Sequence, residues 1–386
     1  MKFFTFNIKV LKMCFLWPTD ISRKENGKSR YAKDLIIIFS VMPCFIPILA
    51  DFFAQLFEGV PNLTEAVENM IALNCIIGMI YMIFCFVNNR HTIIDLMFEI
   101  DNFEKYGNSS ITRDVDDKAN LFSKVFLFYG ILGNFVYMLM PQLSANKCHM
   151  ARTPEMIQKG IPCGLVVRSI FPFKFDYTPV FEIVFIHQIY TCTIVSIVVL
   201  ILTTTLWGFL MHIVNQLEHL RSFVNSLKED PQTKFLQRLI YIIHYHNDII
   251  RFSEKTAKAF STMLLFYVTL TSLVLSVLCF EIIMVNDFED SLRFSLHFIG
   301  WVAILFSVCY NGQLVIDESI GIANDIYSLD WFLHPADTQK KIQTILMRSQ
   351  KPLVFSAASM GVISLPEFLK VFSSAYSFFT LLLKLK

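Results

Sequence analysis

Charge is scarce in this chain. Only 17% of its 386 residues are Asp, Glu, Lys or Arg, against about a quarter in an ordinary soluble domain. A soluble surface for a chain of this size is therefore excluded. The net charge of +1 gives no bulk attraction for nucleic acid or for an acidic partner. Clustered cysteine is lacking: the nine residues fall singly, with no CxxC and no Cys/His cluster at metal spacing. His244 and His246 stand two apart, so on a helix they point apart and do not chelate. There is no HExxH, GxSxG, P-loop or glycine-rich nucleotide fingerprint, so an enzyme has no motif to rest on and no cofactor is expected. Nor are there the internal repeats and broken spans of a transporter. A cleavable signal peptide is not expected, because the first apolar stretch after the basic N-region, Phe15–Trp17, is too short.

What is abundant is apolar side chain. Hydrophobic residues make up 54% of the chain, 39 residues are Phe, and mean hydropathy is +0.52. The bilayer is the solvent that takes up such a surface. A span needs about 20 mostly apolar residues, and the sequence offers seven such stretches: 35–57, 66–87, 124–140, 179–206, 260–285, 294–316 and 365–383. The expected fold class is an all-α membrane protein with seven transmembrane helices. The loops at 58–65 and 286–293 are short, and those at 88–123, 141–178, 207–259 and 317–364 are long.

Basic residues set the orientation. One side of the membrane collects 23 Lys and Arg and the other eight, which places the N-terminus inside and the C-terminus outside. The sequon Asn62-Leu63-Thr64 then lies in the first outer loop, where glycosylation of Asn62 is possible, whereas Asn108-Ser109-Ser110 lies inside. The orientation opposes that of a metabotropic seven-helix receptor, and neither a DRY-like triplet after the third span nor an NPxxY in the seventh is present. Cys148 and Cys163 share the long outer loop, an oxidising compartment, and are candidate disulfide partners.

The inner loops read as helices. Leu217, Leu220, Phe223, Val224 and Leu227, then Phe235, Leu239, Ile242, Ile243, Ile249, Ile250 and Phe252, repeat at helical spacing. They predict cytoplasmic extensions of spans four and five that either hold subunits together or pack within one chain. Residues 337–348 predict a further inner helix. The resulting division is a cytoplasmic segment 1–34, spans one to four over 35–206, a cytoplasmic helical region 207–259, spans five and six over 260–316, an inner loop and helix over 317–364, and a last helix over 365–386.

That last helix opens on Ser364-Leu365-Pro366-Glu367, which reads as a capping box with proline in the first turn. Lys370, Ser373, Ser374, Ser377 and Lys384 fall on one stripe, with Thr380 at its edge and Leu381 interrupting it. A polar stripe in hydrocarbon must face protein or water. It fits either close helix packing or a water-filled pore with Ser377, Leu381, Lys384 and Leu385 at its gate and outer mouth. One helix cannot enclose a pore, so the second reading needs an oligomer. Copies of Lys384 and Lys386 around the mouth would repel cations, which points to a heteromer.

Over its last third the chain resembles the insect odorant receptors. Lys351-Pro352-Leu353, Ser364-Leu365 with Phe368, and Ala375-Tyr376-Ser377-Phe378-Phe379-Thr380-Leu381-Leu382 are similar to that family's C-terminal signature. Asp317-Glu318-Ser319, Ile326-Tyr327-Ser328 and Trp331 resemble the stretch before it, and Leu16-Trp17-Pro18 resembles its N-terminal Trp-Pro. The resemblance implies a ligand-gated, non-selective cation channel, a heterotetramer with the common co-receptor (Orco). Its pore would be lined by the seventh helix and its subunits joined through cytoplasmic helices. Aligned on the co-receptor's tail, Leu381 falls on the apolar gate and Lys384 replaces a neutral residue. The chain lacks the co-receptor's long cytoplasmic insertion, so it looks like the odorant-tuned subunit. The nearest alternatives are a gustatory-type channel and a metabotropic chemoreceptor.

The family binds odorant in the outer half of the helices. Candidate ligand residues there are Met70, Leu73, Asn74 and Ile77 on span two, Gly130, Gly133 and Tyr137 on span three, Phe185 and Ile189 on span four, and Phe294, Phe298 and Trp301 on span six. Such a site suits small volatile apolar molecules. His187 either donates to a ligand or satisfies a neighbouring carbonyl, and Glu182 and Glu281 are placed at interfaces.

Overall fold

A computed structural model describes residues 3–18, 34–58, 63–107, 109–143, 145–151, 163–229, 231–285, 287–358 and 361–385. The described residues form ten α-helices: α1 Thr5–Met13, α2 Asp34–Glu58, α3 Leu63–Glu99, α4 Ser109–Leu143, α5 Ala145–Ala151, α6 Val180–Ser226, α7 Gln232–Met284, α8 Phe288–Tyr327, α9 Ala336–Ser349 and α10 Leu365–Leu385. Six of them, α2, α3, α4, α6, α7 and α8, are long and apolar enough to cross a membrane. The seventh is α10, whose hydropathy is diluted by its polar stripe. The outcome is the seven-helix, all-α architecture, and no strand forms among the described residues.

The helices outrun the bilayer. At about 1.5 Å per residue, the 47 residues of α6 and the 53 of α7 span about 70–80 Å, more than twice the ~30 Å of hydrocarbon. Their apolar periodicity continues through the inner side with no Pro inside either helix to stop it. The inner stretch 88–123 is not a loop but helix as well: α3 runs to Glu99, a 3-10 turn covers Ile100–Tyr106, and α4 starts at Ser109. Gly107, in the left-handed region at φ 82°, makes the turn between them.

The inner ends pack on one another within the chain. Tyr245 is fully buried, stacks on Tyr106 with ring centroids 4.0 Å apart and donates to Gln216 Oε1 at 2.5 Å. Tyr106 donates to Asp248 Oδ2 at 2.7 Å, and Lys105 reaches the same carboxylate at 2.7 Å. Arg221 of α6 grips two carboxylates of α8, Glu318 and Asp325, each at 2.7 Å. Of the histidine pair, His244 is exposed and His246 is buried. Leu236, Ile240 and Tyr241 of the α7 extension remain exposed, so one face is packed and another is free.

The first residues are seated rather than trailing. Phe4 N donates to Asp116 Oδ1 of α4 at 2.8 Å, and Asn7 Nδ2 donates to Thr205 Oγ1 of α6 at 2.9 Å. A Cβ on Gly208 would stand 2.5 Å from the Phe4 ring, so the bare glycine makes the seat. Leu16 O accepts from Arg90 Nη1 of α3 at 3.1 Å, and Trp17 is buried.

The start of α10 departs from a capping box. Ser364 Oγ donates back to Val362 O at 2.9 Å, and Glu367 pairs with Lys370 at 3.2 Å. The chain arrives along α8 so closely that a Cβ on Gly312 would lie 2.4 Å from Ile363 O. Backbone cannot yield as a side chain does. Gly312→Ala should therefore cost about 1–3 kcal/mol and lower the melting temperature of the purified protein by several degrees. Gly133→Ala, whose Cβ meets nothing within 4 Å, should leave it within a degree or two. Equal melting of the two variants would show that the α8–α10 approach is not tight.

Candidate functional site

The six apolar spans enclose a cavity of about 160 Å³ in the transmembrane region. α3 contributes Ile71, Asn74, Cys75, Gly78 and Met82, α4 contributes Phe126 to Tyr137 on one face, and α6 contributes Gln188 to Thr203. α7 adds Tyr267, Leu270 and Val274, α8 adds Leu296, His297, Gly300, Trp301 and Ile304, and α2 adds Cys44 and Ile48. Small residues shape it. A Cβ on Gly300 would stand 2.8 Å from the Tyr129 ring, and Tyr129 crosses there to donate to Leu296 O at 2.6 Å. Gly133 faces open space. Trp301 Nε1 donates to His297 Nε2 at 2.9 Å, which leaves the His297 proton on Nδ1.

The outer end is roofed by the chain itself. Val167 lines the cavity and is held by Gln188. Gln188 Oε1 accepts from Val166 N and Val167 N at 3.0 and 3.3 Å, and its Nε2 donates to Val167 O at 2.8 Å. Ile170 N donates to Pro47 O at 3.2 Å. Arg168 pairs at 3.2 Å with Asp51, a fully buried carboxylate that also accepts from Gln55 and Asn69 at 2.6 Å each. Gln142 Nε2 donates to Gly164 O at 2.7 Å. Cys163, beside it, is disulfide-bonded. The side chain of Cys148, its expected partner, lies outside the described residues, as does Asn62.

Of the twelve candidate ligand residues, Asn74, Gly130, Gly133, Tyr137 and Trp301 line this cavity. Met70, Leu73, Ile77, Phe185, Ile189, Phe294 and Phe298 do not. The reason is helical phase. On α3 the face read from the sequence is centred near 70, 73, 74 and 77, whereas the cavity meets 71, 72, 74, 75, 76, 78 and 82, a face centred about a third of a turn away that shares only Asn74 with it. Leu73 is buried in the core and Ile77 is 41% exposed to the outside. Phe185 stands on the cavity face of α6 but one turn outward of Gln188, stacked on Phe181 at 6.2 Å. Ile189 and Phe298 sit off that face in the surrounding apolar packing, and Phe294 is fully buried beneath the Arg293 guanidinium at 4.4 Å. Tyr129, Gln188, Tyr267, His297 and the Cys44, Cys75 and Cys192 thiols were not singled out. The signal for Gln188 was available: a lone amide inside an apolar span is costly without a task.

Other polar residues resolve differently. His187 bonds Ser40 O at 2.9 Å, which is its neighbouring-carbonyl reading. Glu182 is exposed at the start of α6. Glu281 is fully buried inside the chain, with no partner for either carboxylate oxygen, near the Arg293–Glu68 ion pair that closes the outer ends of α3 and α8.

On α10, Val371 and Ala375 are buried against the rest of the chain. Lys370, Ser373, Ser374, Ser377, Leu381 and Lys384 are exposed on another face, Leu381 by 55%. Ser377 and Thr380 turn their hydroxyls onto their own helix at 3.0 and 2.8 Å. The Leu385 side chain lies outside the described residues. Phe379 and Leu382 pack into a cluster with Val277, Leu278 and Phe294 that also touches Tyr137 and Trp301, so the cavity wall and α10 share one apolar contact surface.

Known proteins agree with this architecture. The family model described as 7tm Odorant receptor matches residues 62–376. Odorant receptor 22c of Drosophila melanogaster is 28% identical over 159 residues, 41% of this chain and 39% of that protein. The odorant receptor coreceptor of Ooceraea biroi is 24% identical over 166 residues, 42% of this chain and 34% of that protein. The matches thus span less than half of these two relatives. In fold, the insect olfactory receptor OR5 from Machilis hrabei in complex with eugenol superposes with TM-score 0.76 at 16% identity, covering 98% of this chain and 97% of that one. A multi-pass membrane architecture and a family match over most of the chain lead to one conclusion: this chain belongs to the seven-transmembrane odorant receptor family.

Proposed function

We propose that this chain is the odorant-binding subunit of a heteromeric, odorant-gated, non-selective cation channel formed with the common co-receptor. The observation that carries the reading is an uncharged, roofed cavity that shares an apolar cluster with a helix whose polar face the chain leaves uncovered. A polar stripe at membrane depth requires water or protein beside it. Neighbouring subunits arranged around an axis supply both. Leu381 then forms the apolar constriction, and Lys384 and Leu385 stand at the outer mouth. Lys384 is tolerable for cations when other subunits carry neutral residues there, as the resemblance to the co-receptor tail implies. The exposed Leu236, Ile240 and Tyr241 of the α7 extension fit subunit contacts on the inner side. The reading also includes a Cys148–Cys163 disulfide and a glycan on Asn62, on the side that the basic-residue bias makes the outer one.

Affinity in such a cavity comes from burial. A ligand burying roughly 250 Å² of apolar surface gains about 6 kcal/mol at about 25 cal/mol/Å², before the cost of lost freedom. Micromolar to millimolar binding follows.

Two outcomes are expected in cells co-expressing the co-receptor under voltage clamp. Gly133→Leu fills open cavity space and should raise the half-maximal concentration of every activating ligand at least about tenfold with surface expression intact. An unchanged response would place the ligand elsewhere. Leu381→Ala removes the constriction and should raise resting current in the absence of ligand. Unaltered leak would mean that Leu381 faces lipid or another helix.

A further inference from the structure

A polar atom in a membrane-embedded cavity pairs with the chain or with whatever fills the cavity, because hydrocarbon supplies nothing. Here the pairings can be followed one by one. Tyr129 and Trp301 donate to Leu296 O and His297 Nε2, and Gln188 is committed to the roof. Asn134 Nδ2 reaches Cys192 O at 3.4 Å, and the Thr191 and Thr203 hydroxyls return to their own helix at 3.0 and 2.8 Å. Two cavity-lining residues are left with buried atoms that have no partner: Asn74 at Nδ2 on α3 and Tyr267 at its hydroxyl on α7. No Asp, Glu, Lys or Arg lines the cavity among the described residues.

The two leftover groups lie at different depths. α3 and α7 run antiparallel, and a Cβ on Gly78 would touch Leu270 at 2.4 Å, which sets these positions level. Asn74 is then one turn outward and Tyr267 nearly one turn inward, about 10 Å apart along the axis at about 1.5 Å per residue. A single polar group on a small ligand reaches one of them. Tyr267 has one rotatable O–H that both donates and accepts, on a ring stacked against Trp301 at 6.3 Å. The Asn74 amide nitrogen only donates, and it has two protons to place.

We propose that Asn74 is the anchoring donor of this cavity, and that the ligand class is small aromatic or aliphatic molecules carrying one unionised carbonyl oxygen. The proposal rests on reading the cavity as the ligand site and goes on to name what it takes. The volume of about 160 Å³ holds a body of about one ring, since an apolar cavity of about 150 Å³ takes up benzene. Carboxylates and ammonium ions are excluded because no lining charge offsets their desolvation. A hydrocarbon of the same shape fits but leaves Asn74 unpaired, which costs affinity.

Acetophenone and α-methylstyrene test this directly, because they share ring, shape and size and differ only in C=O against C=CH2. Binding is read on the full-length chain in lipid nanodiscs by the ligand-induced rise in melting temperature, at matched membrane-phase concentrations. Acetophenone should bind at least about tenfold more tightly, Asn74→Leu should bring the pair within about twofold, and Tyr267→Phe should leave the preference in place. Equal affinity of the pair for the native chain, binding of neither, or a preference that survives Asn74→Leu overturns the proposal. The native-chain comparison does not depend on any variant folding. Channel current is a separate readout. Binding without current in cells co-expressing the co-receptor contradicts the channel reading alone, whereas current with equal sensitivity to the pair contradicts only the assignment of Asn74.

Discussion

Within hydrocarbon an unpaired polar group costs several kcal/mol, and the placement of nearly every polar side chain in this structure answers to that cost. Backbone pairing is met by uninterrupted helices. Most side-chain hydroxyls in the spans, such as Thr203, Thr271 and Ser307, bond to the carbonyl one turn back on their own helix. Polar groups that cannot do this are drawn to specific jobs. Gln188 holds the cavity roof, Asp51 gathers Gln55, Asn69 and Arg168, and Arg293 is sheathed by Glu68 and by the Tyr137 and Phe294 rings. Against that background a few features stand out: the Asn74 amide and Tyr267 hydroxyl at the cavity and the buried Glu281 carboxylate, which have no partner, and the stripe of α10 left exposed on the outside of the chain.

The cavity wall and α10 meet at one apolar cluster. Val277, Leu278 and Phe294 belong to it, and Tyr137 and Trp301 of the cavity wall and Phe379 and Leu382 of α10 pack against it. Packed interiors do not deform smoothly, so a body occupying the cavity has a contiguous route by which to bias the position of α10. The inner side is built for the opposite purpose. Arg221, Asp248 and the Tyr106–Tyr245 stack tie the long helices to one another on that side.

Much of the fold was legible in the sequence because hydrophobic length and basic-residue bias are properties of whole segments. The seven spans, the inner helices over 207–259 and the helix at 337–348 all follow from periodicity that a few substitutions would not erase. Single-residue placement is different. The cavity face of α3 lies about a third of a turn from the face that the sequence suggests, because an almost wholly apolar helix carries no phase marker: Leu73 and Ile77 are apolar, as are Ile71 and Cys75. The face of α4 is better defined because glycine marks it, at Gly130 and Gly133. The roof at Val166 and Val167, and the seating of Phe4 on Gly208, depend on contacts between segments more than 20 residues apart, which periodicity cannot reveal. The polar stripe of α10 was readable for the converse reason, since Lys370, Ser373 and Ser377 do mark a phase.

Under the proposed function, occupancy of the uncharged cavity moves α10. That movement is tested most directly by determining the structure of the chain with the co-receptor by electron cryomicroscopy, with and without an activating ligand. Ligand density should be bounded by Asn74, Tyr137 and Trp301, and Leu381 should be displaced outward from the central axis. Ligand density outside this cavity, or an occupied cavity with α10 unmoved in an open channel, would contradict it.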